Sequence, residues 1–174
     1  MNKKENSYII PITGLSVGYR EYQYVIDDSF FEMFDYSEVR KGLVSVNLGI
    51  LKQESSFILS LEINGKVVLA CDRCGDNYEQ DIQNTAEVFL KYGDIFEENN
   101  DDVIVITKDE CEFDVSSLIY EYIILALPIH RVHQDKNDCN PEVIKYLEEN
   151  EVKETTEIDP RWKCLENYNK EKDN

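Results

Sequence analysis

Two runs of strict period-two alternation constrain this chain more than anything else in it. Val44, Val46, Leu48 and Ile50 alternate with Ser45, Asn47 and Gly49, and Phe57, Leu59, Leu61 and Ile63 alternate with Ile58, Ser60 and Glu62. Successive side chains of an extended strand point to opposite faces, so each run sets one apolar row on a single side. Two antiparallel strands with one covered face satisfy that pattern, whereas a helix would space its apolar positions three and four apart. Asn64-Gly65 is the dipeptide favoured in two-residue hairpins and predicts a turn that joins the second run to residues 66–70. A further run sets Ile82, Ala86, Val88 and Leu90 against Asp81, Thr85, Glu87 and Phe89, and residues 103–107 supply one more short strand.

β-branched and aromatic residues also dominate 7–12 and 19–26, with Pro11 and the Gly14 to Gly18 stretch between them as turn signals. Asp27, Asp28 and Ser29 offer helix caps ahead of Phe30, Phe31, Met33 and Phe34, which predicts a short helix at about 28–38. After Asp114, a cap residue, Val115, Leu118, Ile119, Tyr122, Ile123 and Ala126 keep helical spacing up to Pro128, which predicts the main helix at about 114–127. A more polar helix fits 141–149. The expected fold is α+β: a mostly antiparallel β-sheet or open barrel with these two helices and a helical or flexible C-terminal tail. Residues 1–140 form the expected single β-rich domain, and 141–174 an acidic linker or helix and a tail. Residues 94–102, acids and asparagines apart from Ile95 and Phe96, read as an exposed loop.

At 174 residues with 42% hydrophobic content the chain can bury one ordinary core. No stretch approaches the roughly 18 apolar residues of a spanning helix, and Met1 to Asn6 lacks an apolar signal core, so a cytoplasmic protein without membrane contact is expected. The formal net charge is −18, and it is uneven: residues 1–93 carry 14 acidic and 9 basic side chains, residues 94–174 carry 22 and 9. Phosphate binding depends on lysine and arginine displacing counterions, so basic proteins are electrostatically easier partners than bulk nucleic acid.

Five cysteines in a chain of this kind point to thiols or metal ligands rather than a disulfide framework. Cys71-Asp72-Arg73-Cys74-Gly75 follows a strand directly, and such a turn brings two thiolates to one point while the glycine tolerates a positive φ. This is half of a zinc knuckle. A closed site needs four ligands, so the other half must come from His130, His133, Cys139, Cys111 or Cys164, with His133 and Cys139 the best pair and His130 the alternative. Two other readings stand beside it: small semi-buried thiols that merely end a strand, and a thiol–disulfide redox pair. Cys111 and Cys164 read as thiols without a partner. No phosphate loop, nucleophile elbow or His-Glu-x-x-His helix occurs, so no enzyme and no small-molecule substrate are expected.

A hairpin running into Cys71-Asp72-Arg73-Cys74, an acidic insertion, Phe113-Asp114 opening a helix that ends Leu127-Pro128, and then His133 and Cys139 together resemble the YceD family. The tail Asp159-Pro160-Arg161-Trp162 is similar to the ending of one bacterial branch of that family. The resemblance implies a role in accumulation or processing of large-subunit (23S) ribosomal RNA, and it implies Cys71, Cys74, His133 and Cys139 as the metal cluster, with zinc as the cofactor. Large-subunit ribosomal RNA, basic ribosomal proteins or both are then the expected partners. Arg20, Arg40, Lys41, Lys52, Lys66 and Arg73 are the expected contacts on the sheet surface, equally well read as cations spread around the molecule. Arg161 and Trp162, an aromatic beside a cation beyond a linker, are the expected docking motif, or else a tail folded back on the domain. A zinc-stapled binding module unrelated to ribosomes is the alternative function.

Overall fold

The computed structural model describes residues 8–93, 103–107, 109–151 and 161. Its elements run β1 (Ile9–Pro11), β2 (Gly18–Ile26), α1 (Asp28–Phe31), β3 (Gly42–Lys52), β4 (Ser56–Ala70), β5 (Asn77–Tyr92), β6 (Val103–Ile106), β7 (Glu112–Asp114), α2 (Ser116–Leu125), a 3-10 turn at Lys136–Asp138, and α3 (Pro141–Glu149). Five strands form an open sheet in the order β2-β3-β4-β5-β6, and β1 pairs with β7 in a separate two-stranded sheet. All pairings are antiparallel except β5 with β6. The fold is the expected α+β one, with an open sheet rather than a closed barrel.

The alternating rows meet across the strands as their spacing demands. Val46 lies opposite Ile63, Leu48 opposite Leu61 and Ile50 opposite Leu59; Leu59 in turn faces Val88, and Phe57 faces Leu90. These side chains are buried together with Ile119 and Ile123 of α2 and Phe30 and Phe31 of α1, so both helices cover one face of the sheet. Asn84 is the polar interruption in that apolar row. Its amide donates to the carbonyl of Tyr122 at 2.9 Å, which satisfies the group and ties α2 to β5. The ring of Phe34 stacks on Tyr120 with centroids 4.3 Å apart, joining the segment after α1 to α2.

Three local expectations change. Asn64-Gly65 is not a turn: β4 runs through it, with Gly65 opposite Val44 on one side and Ile82 on the other. Gly65 keeps a negative φ, since the positive-φ glycines are Gly14, Gly18 and Gly75 among the described residues. Its use is space, because a Cβ there would lie 2.4 Å from the Leu43 carbonyl oxygen and 2.6 Å from the Val44 Cα. The hairpin out of β4 is instead the cysteine turn itself.

The first helix spans only Asp28–Phe31. It is capped by the Asp27 carboxylate on the Ser29 N–H, and Met33 and Phe34 then bond three residues back, to Phe30 and Phe31, as the buried Phe30, Phe31 and Phe34 draw the chain inward. The main helix, Ser116–Leu125, is two residues shorter at each end than the predicted range 114–127. Phe113 and Asp114 belong to β7, and the Asp114 carboxylate accepts the Ser116 N–H at 2.8 Å, while Ala126 and Leu127 close with tight i−3 bonds before Pro128. The helix at 141–149 is present. No described helix is long and apolar enough to cross a membrane. The acidic stretch 94–102 and the segment 152–160 lie outside the described residues.

If Gly65 serves close approach rather than a turn, Gly65→Val destabilises the fold by about 1–3 kcal/mol through overpacking. Asn64→Thr, at an exposed mid-strand position, stays within about 0.5 kcal/mol of the parent. Urea unfolding midpoints of the two variants check both values; a larger cost at Asn64 than at Gly65 would restore the hairpin reading.

Candidate metal centre

Cys71 lies directly after the end of β4, and the turn that follows closes on itself. The Gly75 N–H donates to the Cys71 carbonyl at 2.8 Å, the Cys71 N–H to the Asp76 carbonyl at 2.9 Å, and Gly75 has φ +82°. A side chain at that φ is strained, so the glycine allows the turn to put Cys71 and Cys74 side by side. The second pair arrives from the loop after α2. Asp135 accepts the Asn137 N–H at 2.9 Å and nucleates the 3-10 turn, which delivers Cys139 with its N–H on the Lys136 carbonyl at 3.2 Å.

The two segments are sewn together by backbone. The Asp72 N–H donates to the Arg131 carbonyl at 2.7 Å, and the Arg131 N–H returns to the Asp72 carboxylate at 3.0 Å. Arg131 also pairs with Glu38 from the α1–β3 connection. This pairing fixes the phase of the loop, so that His133, two residues on, faces the cysteines, with Tyr78 of β5 against its ring at a centroid distance of 5.1 Å.

The result is four donors, Cys71, Cys74, His133 and Cys139, whose ligand atoms all lie within 4.8 Å of one another. The Nδ1 atom of His133 is 3.6 Å from the Cys74 sulfur and 3.5 Å from the Cys139 sulfur. Around one tetrahedral zinc with Zn–S near 2.3 Å and Zn–N near 2.0–2.1 Å, sulfur–nitrogen edges are about 3.6 Å and sulfur–sulfur edges about 3.8 Å. The edges from His133 to Cys74 and to Cys139 match the sulfur–nitrogen value. Cys71 and Cys139 are buried and Cys74 half-buried, so three protein thiols and one imidazole close the site on nearly every side.

The electrostatics favour thiolate at Cys71. Burial pushes the Cys71 thiol up, but the backbone N–H groups of His133, Cys74 and Arg73 and the His133 side chain outweigh it and lower the thiol from 9.0 to about 6. Cys139 goes the other way, raised by burial first and then by hydrogen bonds to Cys74 and Cys71 and the Cys71 charge, with only the Arg73 guanidinium opposing. That guanidinium donates to the Cys139 sulfur at 3.6 Å. N–H donors aimed at sulfur offset the excess negative charge that three thiolates leave on a divalent ion.

His130 is exposed and stands apart from the four donors. Cys111 is exposed, its thiol 3.7 Å from the Asp109 carbonyl, and Cys164 and Trp162 lie outside the described residues. The six expected contact cations have different surroundings. Arg20 is held to Ser16, Arg40 to the Asp35 carbonyl, and exposed Lys41 precedes β3. Lys52 sits over the Phe57 ring, Lys66 lies between Glu79 and Asp81, and Arg73 belongs to the cysteine cluster. Arg161 is exposed. Sequence reasoning missed the parts played by Asp72, Arg131 and Tyr78, and the only signal available was their closeness in sequence to the four donors.

A thiol whose folded value is lowered adds stability in full above its unfolded value and loses it as pH falls through the folded one. In metal-free protein the Cys71 contribution therefore fades from pH 9.0 downward and is gone below about 6. Ultraviolet thiolate absorbance is expected to show one group ionising near pH 6 that vanishes in Cys71→Ser; a first ionisation above pH 8 in the parent would contradict it.

The comparisons with known proteins give one positive finding. Neither the curated proteins nor the solved structures contain a match to this chain. The family model described as large ribosomal RNA subunit accumulation protein YceD matches residues 59–168, which begins in β4 and takes in the cysteine turn, α2 and all four donors. Because that span covers well over half of the sequence, the chain belongs to the YceD family.

Proposed function

We propose that this protein is a non-enzymatic accessory factor of large-ribosomal-subunit biogenesis, acting in the cytoplasm to support accumulation of large-subunit ribosomal RNA, with zinc as a structural cofactor. Membership of a family described by large ribosomal RNA subunit accumulation is the observation that carries the reading. The zinc component rests on the chemistry of the donor set. Cys71, Cys74, His133 and Cys139 would hold the ion, and three sulfurs with one imidazole nitrogen suit zinc better than the hard, oxygen-preferring cations.

In this reading the metal does no chemistry on a substrate. A catalytic zinc keeps one coordination position for water, and here four protein donors fill a tetrahedral set. What the ion supplies when bound is a staple between the β4–β5 turn and the loop after α2. The chain's own residues then set the shape: Asp72 and Arg131 align the two segments, and Arg73 covers the Cys139 sulfur. A thiol-redox pair needs two sulfurs, whereas here a third thiol and an imidazole converge on the buried Cys71 and half-buried Cys74 to make four donors. Ribosomal RNA and basic ribosomal proteins are the proposed partners.

The test is made in cells that depend on the gene. After depletion, precursor and mature large-subunit RNA are quantified while the parent, Cys74→Ser with His133→Ala, or an empty vector is expressed. The parent is expected to restore large-subunit RNA and the double variant to accumulate poorly and restore it only in part. Unchanged large-subunit RNA on depletion contradicts the assembly role, and full rescue by a double variant lacking metal contradicts the zinc component alone.

A further inference from the structure

One face of the five-stranded sheet carries α1 and α2, and the other carries no described element. The strand register orders that open face into rows. Glu21 lies opposite Gly49, Gly49 opposite Ser60, and Ser60 opposite Glu87, so one row reads acid, small, small, acid across four strands. The neighbouring row on one side, Tyr19, Leu51, Ile58 and Phe89, is apolar, and the row on the other side contributes Glu62. The middle of this face holds an open trough of about 490 Å³ lined by Tyr19, Glu21, Glu62 and Glu87, with the small residues Gly49 and Ser60 at its floor and the Tyr19 ring lying over Gly49.

The missing side chain at Gly49 is what lets Tyr19 lie across the sheet here. A Cβ at Gly49 would fall 2.5 Å from the Ser60 hydroxyl and 2.6 Å from the Tyr19 hydroxyl, so the tyrosine ring leans across the glycine and any larger residue would displace it. Tyr19 is still 63% exposed and lines the trough. None of the ion pairs among the described residues uses Glu21, Glu62 or Glu87. Three carboxylates, an exposed aromatic ring and an apolar bank are the groups that recognise a lysine or arginine side chain: the bank takes the aliphatic stem, the ring faces the cation, and a carboxylate pairs with it.

We propose that this open face docks an extended lysine- and arginine-rich segment of a partner protein. The charge decides among occupants. RNA would bring phosphates against three carboxylates, and a second copy of this chain would bring the same acids against themselves. The proposal deepens the assembly reading by naming a surface and a partner chemistry, but it concerns the purified protein and can fail while the RNA phenotype stands.

The probe is a labelled peptide that alternates arginine with small polar residues, titrated into the isotope-labelled full chain at low salt. Expected are amide shifts centred on Glu21, Gly49, Ser60 and Glu87, and affinity that drops about tenfold in Glu21→Gln/Glu62→Gln/Glu87→Gln, as three partly exposed charge pairs would give. The control Glu54→Gln/Glu110→Gln/Glu142→Gln removes equal charge away from the trough and is expected to bind like the parent. Equal losses in both triple variants, shifts centred elsewhere, or no peptide binding overturn the proposal. So does a single-stranded RNA oligonucleotide that shifts the same amides. Because the substitutions keep side-chain size at exposed sites, an unchanged amide spectrum confirms folding, and weakening of parent binding by added salt gives an independent reading.

Discussion

Fifteen residue pairs tie β4 to β5, from Ser56 opposite Lys91 to Ala70 opposite Asn77, and the other parts of the molecule hang on that ladder. Its loop is the cysteine turn, so the register that pairs Ala70 with Asn77 also fixes where Cys71 and Cys74 stand. One of its faces receives α2, held by the apolar row of β4 and β5 and by Asn84 on the Tyr122 carbonyl. Since α2 ends at a set point over the sheet, the loop beyond it returns to the cysteine turn, where Asp72 and Arg131 lock the two backbones together. A slip of one residue would turn every apolar side chain of β4 outward and carry the donors apart together, so core and site share one constraint.

The polarity of the two sheet faces follows from the same alternation. Burying Phe57, Leu59, Leu61 and Ile63 commits Ser60 and Glu62 to the open side, and the pairing of β4 with its neighbours commits Glu21 and Glu87 to it as well. Two of the cations expected at the sheet surface are engaged within the chain: Lys66 is held between two acids, and Arg73 is turned toward a sulfur. An acidic chain with one open acidic face is better suited to meeting basic protein segments than RNA phosphates directly.

Much of this was legible in the sequence because it rests on periodicity and on ligand chemistry. The rows of β3, β4 and β5, the helix about Leu118 and Ile123, and the choice of His133 with Cys139 all come from side chains whose spacing or type admits few arrangements. What misled was Asn64-Gly65. A glycine wanted for a positive φ and a glycine wanted for close backbone approach look the same in a sequence, and only the neighbour across the strand, Val44, distinguishes them. The helix over 28–38 was overread for a related reason: Phe30, Phe31 and Phe34 have helical spacing, but a chain of tight turns buries them as well. Asp72 and Arg131 were illegible as a lock because their pairing is made largely by main-chain groups, which any residues carry.

Cys71, Cys74, His133 and Cys139 stand close enough together to hold one metal ion, and zinc is the ion proposed for them. That proposal is tested most directly by purifying the full chain without chelators or added metal, measuring its metal content, and recording X-ray absorption at the zinc edge. Expected is one zinc per chain with three sulfur neighbours at about 2.3 Å and one nitrogen at about 2.0–2.1 Å. A protein that carries no zinc and fails to retain it when it is supplied, or one whose zinc is surrounded mainly by oxygen, would contradict it.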